Sequence, residues 1–311
     1  MAVNRNLSRG PDFSLENDLL KGTGDLFDQA GCCIIGVDEA GRGPWAGPVT
    51  AGAAWINPDA LNMLPAGIND SKKLSASRRA ELWEALQHLA GDPSCLQVAV
   101  ASIEASAIDR DGLLPATFEA MENAALALTS GMEASALHLL VDGNLRPPFR
   151  NLAEVRPMQA TPVVKGDQRS LSIAIAAIAA KQTRDGIMDR LDDQFPGYGW
   201  KDNKGYGTRQ HADALAKQGP SPCHRLSFRP VAAVAAAHGT AASSRHSHLA
   251  FVHLCRRADG RQHLGQRGRA RRGHCLRYPR RGQLRRRRVA SHTADRRSQP
   301  RPIRPRLAHP T

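Results

Sequence analysis

A chain of 311 residues holds one large domain or two small ones and is long enough to bury a substantial core. The net charge of +14 would suit a polyanionic partner, but residues 1–231 hold 23 Lys and Arg against 27 Asp and Glu, whereas residues 232–311 hold 20 Arg, no Lys and 2 Asp. The basicity therefore belongs to the C-terminal stretch, and with no leader pattern and no apolar run near the roughly 20 residues that cross a bilayer, a helical membrane protein is excluded and a soluble, cytoplasmic one is expected.

Residues 1–30 are polar and weakly patterned, with one short helical stretch around 15–20, and read as an N-terminal extension. Strand-length apolar runs follow at 32–37, 49–56, 96–103, 137–141 and 162–164. Between them, 76–89 sets Leu82, Leu86 and Leu89 on one helical face, and 115–129 does the same with Phe118, Met121, Ala125 and Leu128. Further helices are predicted over 171–191, after a Lys-Gly-Asp turn, and over 208–218, which stops at Gly219-Pro220. Hairpin-spaced strands followed by strands separated by helices indicate an α/β mixed sheet flanked by helices, in one domain over 31–231 with a helical C-terminal part. The cysteines show no paired C-x-x-C spacing, since Cys32 and Cys33 are adjacent and Cys95, Cys223, Cys255 and Cys275 lie far apart. They read as reduced structural thiols.

Over 232–311 the apolar periodicity ends, and a segment that cannot bury apolar surface cannot offset its ordering entropy, so a disordered tail is expected. An arginine-rich arm gripping phosphates is one reading of it. Arginine without lysine, among Gly, Pro, Ala and His, favours the other reading: a GC-rich, out-of-frame terminus never selected for folding.

The chemistry gathers where apolar runs end. "CIIGVDEAGRGP" closes on Asp38 and Glu39, "LHLLVDGN" on Asp142, and "PVVKGDQRS" places Asp167 just past a third run. Strand ends are where α/β sheets build their sites. Two carboxylates about 4 Å apart repel by about 4 kcal/mol at an effective dielectric near 20, so such a cluster requires protons or cations. Hard oxygen ligands suit Mg²⁺ or Mn²⁺. That combination points to two-metal phosphodiester hydrolysis.

These blocks, with "NDSKKLS", "AKQTRD", "FPGYGW", "NKGYGT" and "GPSPCHRLSFRPV", occur in the order and largely at the spacing of bacterial ribonuclease HII, which the chain resembles over about 30–231. The resemblance implies a ribonuclease H-like fold and an endonuclease that cuts the RNA strand of RNA–DNA hybrids. It also implies nicking 5′ of ribonucleotides embedded in duplex DNA, leaving 3′-hydroxyl and 5′-phosphate ends, a step in ribonucleotide excision repair. Asp38, Glu39, Asp142 and Asp167 match the four acids that hold Mn²⁺ or Mg²⁺ and run the hydrolysis. Gly41, Arg42 and Gly43 match the loop that meets the 2′-hydroxyl, and Tyr206 the tyrosine that stacks at the RNA–DNA junction. On physical grounds, glycines at 41 and 43 let the backbone approach a sugar, and an aromatic beside Lys204 suits stacking next to a phosphate.

Lys72, Lys73, Lys165, Lys181, Arg184, Lys204 and Arg225 are candidate phosphate contacts around an otherwise acidic domain, with Lys72, Lys165 and Lys204 placed in the substrate-binding set. Asp185 reads as structural, and His211 and His224 stay outside the catalytic set because two-metal hydrolysis needs no histidine. A monomer is expected. Two alternatives compete. A ribonuclease H-like exonuclease would carry an acid-x-acid pair on its first strand, where this chain has adjacent acids; a non-catalytic nucleic-acid binder would leave four strand-end acids unexplained, since acids repel phosphates unless a metal intervenes.

Overall fold

A computed structural model of the protein describes residues 10–22, 31–239 and, as a strand, 251–254. The chain divides into two units, Met1–Cys275 and Leu276–Thr311, and every described residue falls in the first. In chain order the elements are α1 (Ser14–Gly22), β1 (Cys32–Ala40), β2 (Val49–Ile56), α2 (Ala76–Leu89), β3 (Leu96–Ile103), α3 (Ala105–Asp111) and α4 (Leu113–Thr129). Then come β4 (Ala136–Asp142), α5 (Arg150–Val155), β5 (Met158–Val163), α6 (Leu171–Gln194), α7 (Trp200–Asn203), α8 (Arg209–Gln218), α9 (Arg229–Ala237) and β6 (Phe251–Leu254).

The sheet runs β5-β4-β1-β2-β3-β6, with β1–β4 and β4–β5 parallel and the remaining pairs antiparallel. A short connection makes the β1–β2 ladder, α2 lies between the antiparallel β2 and β3, and helical crossovers through α3–α4 and α5 lead into the parallel strands β4 and β5. One face of the sheet packs on α4 through Ile35, Val37, Leu139 and Val141, with Ala120, Ala124 and Leu128 opposite them. The other face packs on α6, whose run of buried alanines is explained by two glycines beneath it. A Cβ on Gly36 would lie 2.2 Å from the Ile173 amide nitrogen, and one on Gly52 would lie 2.3 Å from the Ala176 carbonyl oxygen. Small residues on both sides let the helix axis settle close to β1 and β2. The same packing fixes side-chain direction. Asp38 is paired with Gly52 and follows Gly36 by two residues, so it faces α6, while Glu39 faces α4.

All five sequence-read strands are present, and β1 continues through both acids to Ala40. β5 begins at Met158, ahead of the expected 162; its first residues include the exposed Gln159 and Thr161 and so form no apolar run. α3 was not anticipated; Gly112, at φ 90°, separates it from α4. The 1–30 stretch contributes more than its sequence suggested. Phe13 joins the core under α6, and Glu16 is fully buried at the first turn of α6, where its Oε1 accepts Ser170 Oγ at 2.5 Å, Ser172 Oγ at 2.6 Å and the Ser172 amide at 3.0 Å. At the other end α9 runs past 231, burying Val231 and Ala235 one helical turn apart, and 251–254 pair with β3. The rest of 232–311, where a disordered tail was expected, lies outside the described residues.

Candidate active site

β1 and β4 run in parallel with Val37 opposite Val141, so the next residues, Asp38 and Asp142, come side by side, Asp142 at the end of β4 and Asp38 just before the end of β1. β5 continues the edge, with Val163 opposite Asp142, and Asp167 follows in the short Gly166–Gln168 helical turn. That turn is pinned to β4 because the Gly166 amide donates to Asp142 Oδ1 at 2.7 Å. Gly166 is closely packed: a Cβ there would lie 2.6 Å from Ile173 Cδ1, which would have to shift. Asp38 and Asp167 are buried, and Glu39 and Asp142 are partly so.

The four carboxylates share one electrostatic field. Burial raises the Asp38 pKa well above the carboxylate range, reinforced by the charges of Glu39, Asp142 and Asp167 and opposed by the Glu39 amide, which donates to Asp38 Oδ1 at 2.6 Å. Glu39 is raised by burial, with Arg42, 3.5 Å away, working against the shift and Asp142 adding to it. Asp167 is pushed up to about 6 by burial and by Asp70 and Asp142. Partial burial opposes the charge on Lys72, yet the attraction of Asp38, Asp167, Asp70 and Asp142 outweighs it and raises its pKa. As placed, the cluster is not a closed coordination shell. Among the described residues, no three His, Cys, Asp or Glu side chains stand close enough together to cage an ion. The donor set nonetheless fits hard divalent cations: it consists of carboxylate oxygens whose mutual repulsion a cation would relieve.

One carboxylate in this field was missed. Asp70 is buried, accepts the Lys72 amide at 2.9 Å and Gln168 Nε2 at 3.2 Å, and shares a hydrogen bond with Asp167. It precedes the lysines that drew attention to "NDSKKLS", and no apolar run leads into it.

Beside the carboxylates, the β1–β2 hairpin carries Gly41 at φ 91°, a left-handed conformation suited to glycine. Arg42 and Gly43 are exposed, as is Tyr206 at 47%. A Cβ on Gly43 would lie 3.4 Å from the Tyr206 ring, so the two candidate recognition elements touch. Between Glu39, Arg42 and Asp142 a cavity of about 140 Å³ opens toward Phe118, Met121 and Asn144.

Lys72, Lys73 and Lys165 are exposed near the acids. Other basic candidates are engaged elsewhere. Lys204 is ion-paired with Asp189, and Lys181 with Asp185 at 2.7 Å; Asp185 also meets Arg79 at 3.5 Å, which makes it structural, as its sequence context suggested. Arg184 and Arg225 are corrected outright. They are 1% and 0% exposed and donate to backbone carbonyls, so neither reaches a phosphate. His211 and His224 are buried against each other, Nε2 to Nε2 at 3.1 Å, away from the carboxylates' hydrogen bonds.

The same architecture occurs in solved structures. The ribonuclease H2 from Pyrococcus horikoshii OT3 matches with a TM-score of 0.52 and 22% identity over 67% of this chain and 100% of its own. Bst-RNase HIII in complex with Mn²⁺ matches with a TM-score of 0.53 and 19% identity over 68% of this chain and 71% of that one. At such identities the likeness defines the fold, and the fold and site together define a ribonuclease H-like α/β protein with acids at the ends of its central strands.

The Ribonuclease HII family pattern matches residues 35–231. The Ribonuclease HII of Ruegeria sp. (strain TM1040) is 50% identical over 198 residues, 64% of this chain and 78% of that one, and that of Jannaschia sp. (strain CCS1) is 43% identical over 225 residues, 72% and 98% respectively. The chain belongs to the ribonuclease HII family and is a ribonuclease H, a hydrolase with endoribonuclease activity on RNA–DNA.

Proposed function

We propose that this chain cuts the RNA strand of RNA–DNA hybrids and nicks duplex DNA on the 5′ side of an embedded ribonucleotide, leaving 3′-hydroxyl and 5′-phosphate ends. The observation that carries this reading is the convergence of Asp38, Glu39, Asp142 and Asp167 from three strand ends into one field beside Gly41, Arg42, Gly43 and Tyr206.

Those four acids would hold Mn²⁺ or Mg²⁺, which when bound supply an activated water and stabilise charge on the leaving oxygen. The chain's own groups do the rest. Lys72 and Lys165 meet the phosphates flanking the cut and offset the acids' repulsion of the strand. The backbone of Gly41 and Gly43 approaches the ribose where no Cβ intervenes, and the 2′-hydroxyl is the group that tells RNA from DNA. Tyr206 stacks at the junction. Lys204 joins the backbone contacts by exchanging Asp189 for a phosphate. The catalytic domain spans 31–231 and works as a monomer in the cytoplasm; no helix among the described residues is long and apolar enough to cross a membrane.

The test is incubation with DNA duplexes carrying one ribonucleotide, with Mn²⁺, Mg²⁺ or EDTA. Metal-dependent nicking on the 5′ side is expected. Trimming from 3′ ends would replace the endonuclease reading with an exonuclease one, and binding without cleavage, indifferent to EDTA, would remove catalysis altogether.

A further inference from the structure

We propose that Arg184 and Arg225 are positioning residues for substrate recognition: two buried guanidiniums that turn the carbonyls of the β1–β2 hairpin inward, leaving its amides to face the ribose. The inference rests on the proposed role of the 41–43 loop in reading the 2′-hydroxyl.

Arg225 donates from Nε to the Gly47 carbonyl at 3.0 Å, from Nη1 to Arg42 at 2.9 Å and from Nη2 to Gly41 at 2.6 Å. Arg184 donates from Nε to Pro48 at 3.0 Å, from Nη2 to Ala46 at 3.2 Å and from Nη1 to Lys204 at 3.0 Å. Five carbonyls of the hairpin are thus gathered on two forks, while Arg42 and Gly43 are exposed and neither amide is among the backbone donors to other backbone groups of the described residues.

Two features separate this arrangement from ordinary packing. Neither guanidinium makes an ion pair among the described residues, and burying an unpaired charge is costly unless every donor finds a partner. Burial lowers the two pKa values, to about 10 for Arg184 and about 9 for Arg225, still above neutrality, so both remain cationic and add positive potential under an otherwise acidic cleft. Second, the clamp reaches both recognition elements. Arg184 holds the Lys204 carbonyl, the Trp45 amide holds that of Gly205 at 2.8 Å, and Tyr206 comes next against Gly43. Glycine at 41 is what admits Arg184, since a Cβ there would lie 1.9 Å from its Nε. Lysine could keep the charge but not the planar fork that spans three carbonyls.

The experiment compares wild type with Arg225→Lys, and with Arg184→Lys as the second variant. Three quantities are measured: kcat/KM on a duplex with one ribonucleotide, the inhibition constant of the all-DNA duplex of the same sequence, and hydrogen exchange of the Trp45 and Gly47 amides, which donate to the Gly205 and Cys223 carbonyls. The expected result is a fall of about tenfold in kcat/KM, the scale of one or two hydrogen bonds, with all-DNA inhibition unchanged and exchange accelerated. Equal loss of affinity for both duplexes, or an unchanged ratio in a folded variant, would overturn the inference. So would failure of both variants to fold, which would assign the pair to stability alone. Gly43→Ala, tested alongside, separates the two layers of argument. If it lowers the ratio and Arg225→Lys does not, the clamp is wrong and loop recognition survives; if exchange accelerates in Arg225→Lys while neither variant moves the ratio, the loop does not read the ribose and both readings fall.

Discussion

Asp38 and Asp142 stand side by side because each follows the last paired residue of two parallel strands, and that could be anticipated from apolar runs closing on acids. Asp70 could not, because it reaches the same field from a polar connection whose only visible feature was its lysines. It holds Asp167 and Gln168 from behind, as outer partners hold ligands. Asp70→Asn should therefore lower cleavage about 10–100-fold at limiting Mn²⁺ and recover at higher Mn²⁺, read from initial rates across a metal titration. A deficit that saturating metal leaves untouched would put Asp70 outside the ion site. Burial was equally invisible for Arg184 and Arg225, since sequence records that a residue is cationic and not whether three backbone carbonyls receive its guanidinium.

At the level of elements, the strands and long helices were readable because their periodicity follows directly from which face is buried. The role of α1 was not, because its buried acid acts on a helix start far away in sequence. Glu16 accepts from Ser170 and Ser172 at the N-terminus of α6, where a helix favours negative charge. Glu16→Ala leaves those donors without acceptors and should cost about 1–3 kcal/mol in urea denaturation; an unchanged midpoint would mean α1 is dispensable.

The helical C-terminal part carries a second device. His211 Nδ1 donates to the Tyr206 carbonyl, so its Nε2 accepts, from Trp200 Nε1 and from His224 Nε2, each at 3.1 Å. His224 Nδ1 then accepts from Ser221, leaving no place for another proton. Burial, with His211 adding to it, pushes His224 down to about 3, so it stays neutral in the fold while the unfolded chain takes up a proton below about pH 6.5. Its contribution is complete above about pH 6.5 and is lost as pH falls toward 3, at about 1.4 kcal/mol per unit. The buried carboxylates, whose raised pKa values act in the opposite direction, are common to both chains, so the stability margin of wild type over His224→Gln should narrow from pH 7 to 5. Parallel profiles would contradict the tautomer chain.

Along the whole chain an acidic catalytic region is followed by an arginine-rich one, and the two sequences follow different rules. Over 31–231, local pattern and sheet register agree, which is why the fold was legible there; beyond 231, where no apolar periodicity was read, the continuation of α9 to Ala237 was missed. If recognition resides in the acidic region, removing 255–311 should leave the rate of nicking and its dependence on salt unchanged, whereas a terminus that grips phosphates would take part of the salt slope with it. The account itself stands on the four carboxylates binding divalent ions together. Its most direct test is a Mn²⁺ titration followed by the EPR signal of the free ion. Wild type should deplete that signal and Asp142→Asn should leave most of it in solution. Equal depletion by the two chains would contradict the account.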